Sequence, residues 1–141
     1  MKKFRKPGKT HWLSDIVLLC LLLCSPAVSA GEFRHFDQWT TAEKAEFAAY
    51  TTIAYIDYRQ TAWAAKQRDH LNRPLFEEVN PIFGKQPDKG VFLAAQILSS
   101  GYYYYLIGND TSPLFRGFVL GARLAIVVHN DTIGINLNKA F

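Results

Sequence analysis

Cysteine is nearly absent and badly placed to act as a scaffold. Both cysteines, Cys20 and Cys24, fall in one apolar run near the N-terminus. A chain processed near Gly31 holds none, which excludes disulfides and thiolate metal sites from it. Charge is missing from another stretch, with no Asp, Glu, Lys or Arg between Lys89 and Asp110. Glycine and proline are missing from Thr40 to Arg68, so nothing there interrupts a helix. Neither H-E-x-x-H, G-x-S-x-G nor a P-loop occurs, and there is no internal repeat, low-complexity segment or long linker.

What is present suits one domain of 141 residues. The formal net charge is +4, but Lys2, Lys3, Arg5, Lys6 and Lys9 all precede the first apolar run. The remainder is close to neutral, so the basic balance reads as a targeting feature and nucleic acid is not an expected partner. Residues 1–30 fit a secretory signal. A basic start leads into Ile16 to Cys24, Pro26 breaks the run, and Val28-Ser29-Ala30 offers small residues for cleavage. The alternative is an uncleaved anchor, although the apolar core is short of the ~20 residues that a span needs. A lipoprotein reading is weaker, because Leu23 stands where a small residue should precede Cys24.

Three helices are expected after Gly31. The first starts at Thr40 or Thr41, where Thr40 and Glu43 form a capping box with Glu43 and Glu46 at the positive helix end, and it runs to about Arg68. Ala54, Asp57, Gln60, Thr61, Ala64 and Arg68 recur at steps of three and four, forming one polar stripe, while Arg59 lies elsewhere and has to snorkel. The second follows Pro87 with Asp88 as N-cap and ends at Gly108-Asn109. Its stripe is Gln96, Ser99, Ser100 and Tyr103; the Tyr102 to Tyr105 run suits a membrane-interface belt or an aromatic core edge equally. The third starts at Ser112-Pro113 and runs through Asn130. Gly117, Gly121 and Ala125 form a small-residue row suited to close helix packing in lipid, and His129 continues it.

Ile133 to Asn138 alternates with period two before Phe141, which raises a small outer-membrane barrel as a further alternative. Basic residues give an orientation. Lys66, Arg68, Arg73, Lys85 and Lys89 fall between the first two helices, whereas Asn109 to Pro113 carries none, so the first connection belongs in the cytoplasm. That arrangement puts Glu77, Glu78 and Asn80 on the same side as His129, Asn130 and Asp131. Ionisable residues in membrane helices point to function by default. Asp57, Glu78 and His129 are therefore the candidates for a catalytic or metal site, with Gln60, Thr61, Asn80, Arg123 and Asn130 as polar binding candidates. Each also has a plain structural use: Asp57 pairs with Arg123 or with a neighbouring helix, Asn80 orders the turn before Pro81, and His129 caps the third helix.

D-x-x-Q-T (Asp57, Gln60, Thr61), E-x-N-P-I-F-G-x-x-P (Glu78, Asn80, Pro81, Gly84, Pro87) and H-N followed by I-G-I (His129, Asn130, Ile133, Gly134) resemble a group of small envelope proteins of bacterial phages, prophages and their hosts. The resemblance covers about residues 50–137. It implies a signal-led helical membrane protein and implies no activity. The expectation is an all-α protein: a small helical membrane bundle of three transmembrane-type helices after a signal peptide, in the bacterial inner membrane. It carries no cofactor, and its partners are the lipid bilayer and either a membrane protein or a second copy. The role is structural or interactive. A membrane-embedded hydrolase or metal-dependent enzyme using Asp57, Glu78 and His129 is the alternative.

Overall fold

The uninterrupted run after Thr40 forms the longest element. The computed structural model describes residues 32–76 and 89–135, together with 138 and 141. Within these, a short 3-10 turn (Phe36–Gln38) leads into α1 (Thr41–Ala64), α2 (Lys89–Gly108) and α3 (Pro113–Thr132). The described residues are all-α; their only β pairing is an isolated bridge between Arg68 and Pro74. Among the described residues there is no strand, and helices stand where the barrel alternative needs strands. Ile133 and Gly134 form a turn, with Gly134 at φ +94°, rather than the start of a strand.

The helix starts follow the sequence. Thr40 Oγ1 accepts from the Glu43 N–H at 3.2 Å and the Thr40 N–H donates to Glu43 Oε2 at 2.9 Å, which completes the capping box. Pro113 opens α3 as expected, though the Ser112 side chain makes no capping bond. Helix α1 stops four residues before Arg68, because Asp69 organises a competing loop. Its carboxylate accepts from the N–H groups of Leu71 and Arg73 and from the Arg73 guanidinium. The Arg73 N–H, with the Arg73 guanidinium and the Leu71 N–H behind it, holds the Asp69 carboxyl down at about 2.

One face of α1 is buried along its length: Glu43, Tyr50, Ala54, Asp57, Gln60 and Ala64. Both other helices pack on it. The apolar core lies toward the start of α1, where Trp39, Tyr50, Tyr103, Leu106, Ile107 and Val119 meet. The tyrosine run divides by helical period. Tyr103 is fully buried and stacks on Tyr50 at 4.0 Å, Tyr104 packs against Trp39, and Tyr102 and Tyr105 are exposed.

No helix is long and apolar enough to cross a membrane among the described residues, which departs from the expectation of three spans. The polar stripes are the cause. Asp57, Arg59, Gln60 and Thr61 dilute α1, Gln96, two serines and four tyrosines dilute α2, and Arg116 and Arg123 dilute α3. The signal segment, the Asp88 cap, Glu78 and Asn80 lie outside the described residues.

The segment before α1 is strapped across the α2–α3 turn. The Arg34 N–H donates to the Gly108 carbonyl at 2.8 Å and Trp39 Nε1 donates to the Arg34 carbonyl at 3.1 Å. A methyl group at Gly108 would collide with the Phe33 ring, which is itself packed against His35, Tyr104 and Tyr105. Gly108→Ala is therefore expected to destabilise the protein by about 1–3 kcal/mol. Gly101→Ala, in the same helix with open space around it, should be neutral or gain up to about 1 kcal/mol. Paired thermal unfolding curves of the two variants check this; equal midpoints would remove the strap from the account.

Candidate functional site

Where α1, α2 and α3 come together toward the C-terminal end of α1, the interior is polar. Asp57 is 5% exposed and sits at the centre. Each neighbouring helix sends it donors. From α2, Gln96 Nε2 donates to Asp57 Oδ2 at 3.2 Å. From α3, Asn130 Nδ2 donates to Asp57 Oδ1 at 3.3 Å, and Arg123 Nη2 lies 3.5 Å from Asp57 Oδ2. Gln60, one turn along α1 and fully buried, accepts from Asn130 and donates to the carbonyls of Ile135 and Val127. Gln60 thus ties the end of α3 and the chain beyond it to α1. The Arg123 guanidinium also stands over the Tyr50 ring at 5.7 Å.

Of the expected polar residues, Asp57, Gln60, Arg123 and Asn130 are brought together. Thr61 shares their helix face, half-buried and outside the network. His129 is exposed and turned away: its neighbour Asn130 makes the approach to Asp57. Among the described residues no group of three or more His, Cys, Asp or Glu could hold a metal ion. The Gly117, Gly121 and Ala125 row is also on the outside, with no atom of the described residues within 4 Å of where a side chain at either glycine would begin. Helix α3 packs within the chain through the adjoining face, Arg116, Val119, Arg123 and Val127.

A second polar cluster, not foreseen from the sequence, closes the other end of the bundle. Arg116, 4% exposed, grips Glu46 with Nε at 3.1 Å and Nη2 at 3.3 Å, and donates from Nη1 to the Thr111 carbonyl at 3.0 Å. The Tyr103 hydroxyl adds a 2.7 Å bond to Glu46. Arg34 bridges Glu43 at 2.6 Å and Asp110 at 3.0 Å. Glu43 lies in the first turn of α1, ahead of the apolar part of the helix. Arg34 and the Thr40 N–H and hydroxyl all direct donors at the Glu43 carboxylate. The available signal was the spacing of Glu43, Glu46 and Tyr50, which share the face of α1 that carries Asp57.

Arg59 shows how the outer face of α1 treats a charge. Its guanidinium donates to the Tyr55 hydroxyl at 3.2 Å and stands over the Phe141 ring at 4.6 Å. No family model, no curated protein and no solved structure matches the chain.

Proposed function

We propose that this chain is a small integral membrane protein of the bacterial inner membrane, with a structural or interaction role in the envelope. The observation that carries the reading is an inverted distribution of polarity. Asp57, Gln60, Gln96 and Arg116 are buried, while Ile97, Leu98, Leu114 and Phe118 are 63%, 74%, 85% and 51% exposed. In water the apolar side chains along α2 and α3 would face solvent. In lipid they meet acyl chains, and the polar groups, costly to bury in either surrounding, are turned inward and paired, as ionisable residues within a membrane are.

Helix length agrees with this. Elements of 20 to 24 residues extend about 30–36 Å, matching a hydrocarbon core of about 30 Å. The inward polar stripes make each helix less apolar as a whole without bringing those groups to lipid. The basic residues Lys66, Arg68, Arg73 and Lys89 gather at one end, the cytoplasmic one by charge bias. The likeness to phage-associated envelope proteins rests on its motifs alone.

The polar centre is a bonded set of three helices, and that favours a bundle fastener over a reaction site. A hydrolytic use of Asp57 and His129 needs both at one point, whereas the imidazole faces outward and Asn130 fills the approach. The test is alkaline carbonate extraction of membranes from cells making the full chain. The protein should stay in the membrane pellet; recovery in the supernatant as a folded helical protein would end the membrane reading.

A further inference from the structure

We propose that copies of this chain assemble side by side, with the small-residue row of α3 in one copy seated in the groove between α1 and α2 of the next. This rests on the membrane reading above. The groove has a volume of about 270 Å³. Tyr55, Leu93 and Ile97, all exposed, form its apolar walls, and Ala54, Gln96 and Ser100 also line it. Gln96 is 8% exposed, and while its Nε2 donates to Asp57, its Oε1 is buried without a hydrogen-bond partner among the described residues. Gln96 cannot be turned over to cure this, because its carbonyl would then face the Asp57 carboxylate. The Ser100 hydroxyl, one turn further along α2, makes no hydrogen bond among the described residues. The groove is therefore an apolar slot with an unmet acceptor in its lining, and a buried acceptor is expected to find a donor.

The same chain carries a matching donor on a surface of the right shape. On α3, Gly117, Gly121, Ala125 and His129 follow at steps of four, all exposed, and neither glycine has an atom near the place of a side chain. Such a row lets a second backbone come close. His129 ends the row with a ring that makes no hydrogen bond among the described residues, on the face that would meet lipid. An imidazole there needs a polar partner.

Depth brings the two together. Asp57 bonds both Gln96 and Asn130, so these lie at one level in the bundle, and His129 adjoins Asn130. Copies inserted in one bilayer with one orientation are related by rotation about the membrane normal, which keeps every residue at its depth. Docking the α3 row into the neighbour's groove thus brings a His129 N–H to the level of Gln96 Oε1. The two surfaces differ, so the contact is head-to-tail and repeats from copy to copy rather than making a two-fold pair.

The experiment uses the full chain in native membranes, with Ser100→Cys and Ala125→Cys made separately and together, and a short bis-thiol cross-linker. The unmodified chain, with Cys20 and Cys24, gives the background. The double variant should give a ladder of dimers and larger species. Mixed single variants should give dimers only, and either single variant alone should give none above background. Gly121→Leu, which has open space in the protomer, should abolish the ladder while the protein accumulates normally. Ala125→Cys linking to itself would mean a two-fold dimer, and no linking at all would mean that lipid or another protein fills the groove; both overturn the proposal. A chain retained in carbonate-washed membranes but not linked refutes the contact alone. A linked chain that carbonate extracts refutes the membrane reading alone.

Discussion

An Asp57→Ala chain is expected to lose about 3–5 kcal/mol of stability, because it strands a buried cation. The Arg123 side chain is 14% exposed, and Asp57 is the carboxylate it faces across the bundle. The Gln96 and Asn130 amides lose the same acceptor, so α2 and α3 would both be released from α1 at one point. Asp57→Asn should cost less, since one side-chain carbonyl still accepts. The double variant Asp57→Ala, Arg123→Leu should recover most of the loss, because removing both members of a buried pair is often close to neutral. Thermal unfolding in detergent micelles, read beside the amount accumulated in membranes, separates these outcomes. If the double variant is no more stable than Asp57→Ala, the charge pair is not the source of the effect. A double variant that folds but has lost its cellular phenotype would show that the polar centre does more than fasten helices.

Much of this centre was legible in the sequence. Periodicity put Ala54, Asp57, Gln60 and Ala64 on one face of α1, and the Asp57–Arg123 pair follows from two charges in apolar helices that need each other. The Thr40–Glu43 capping box marked where α1 begins, and Pro113 where α3 begins. Three features were not legible, each for a physical reason. The end of α1 depends on a loop that Asp69 builds with residues after it, and helix propensity does not register such competition. The spacing on α3 points to the small-residue row as its packing face, whereas within the chain the adjoining stripe packs inward, with Arg116 and Arg123 beside α1 carboxylates. The strap of residues 32–40 carries no periodic pattern of its own, yet Phe33 and Trp39 pack against Tyr104, and Phe33 also covers Gly108. Its anchor is a contact between Arg34 and Gly108, far apart in sequence.

The cluster at the start of α1 shows the same limit, and it has the second large expected effect. Glu43 and Glu46 read as ordinary partners of a helix N-terminus, yet Glu46 is gripped by Arg116, 70 positions away. Arg116→Met is expected to cost about 3–5 kcal/mol, since it leaves Glu46 part-buried without its cation and the Thr111 carbonyl without its donor. Arg116→Lys should recover little, because a single ammonium cannot reproduce the two-pronged hold on Glu46. Thermal unfolding of the native, Arg116→Met and Arg116→Lys chains in detergent micelles checks this. The Arg116→Lys midpoint should fall close to that of Arg116→Met, because the bonds from Nε and Nη2 to Glu46 and from Nη1 to the Thr111 carbonyl go together. An Arg116→Lys midpoint equal to that of the native chain would mean that one positive charge on a long side chain is enough, and that the guanidinium geometry contributes nothing.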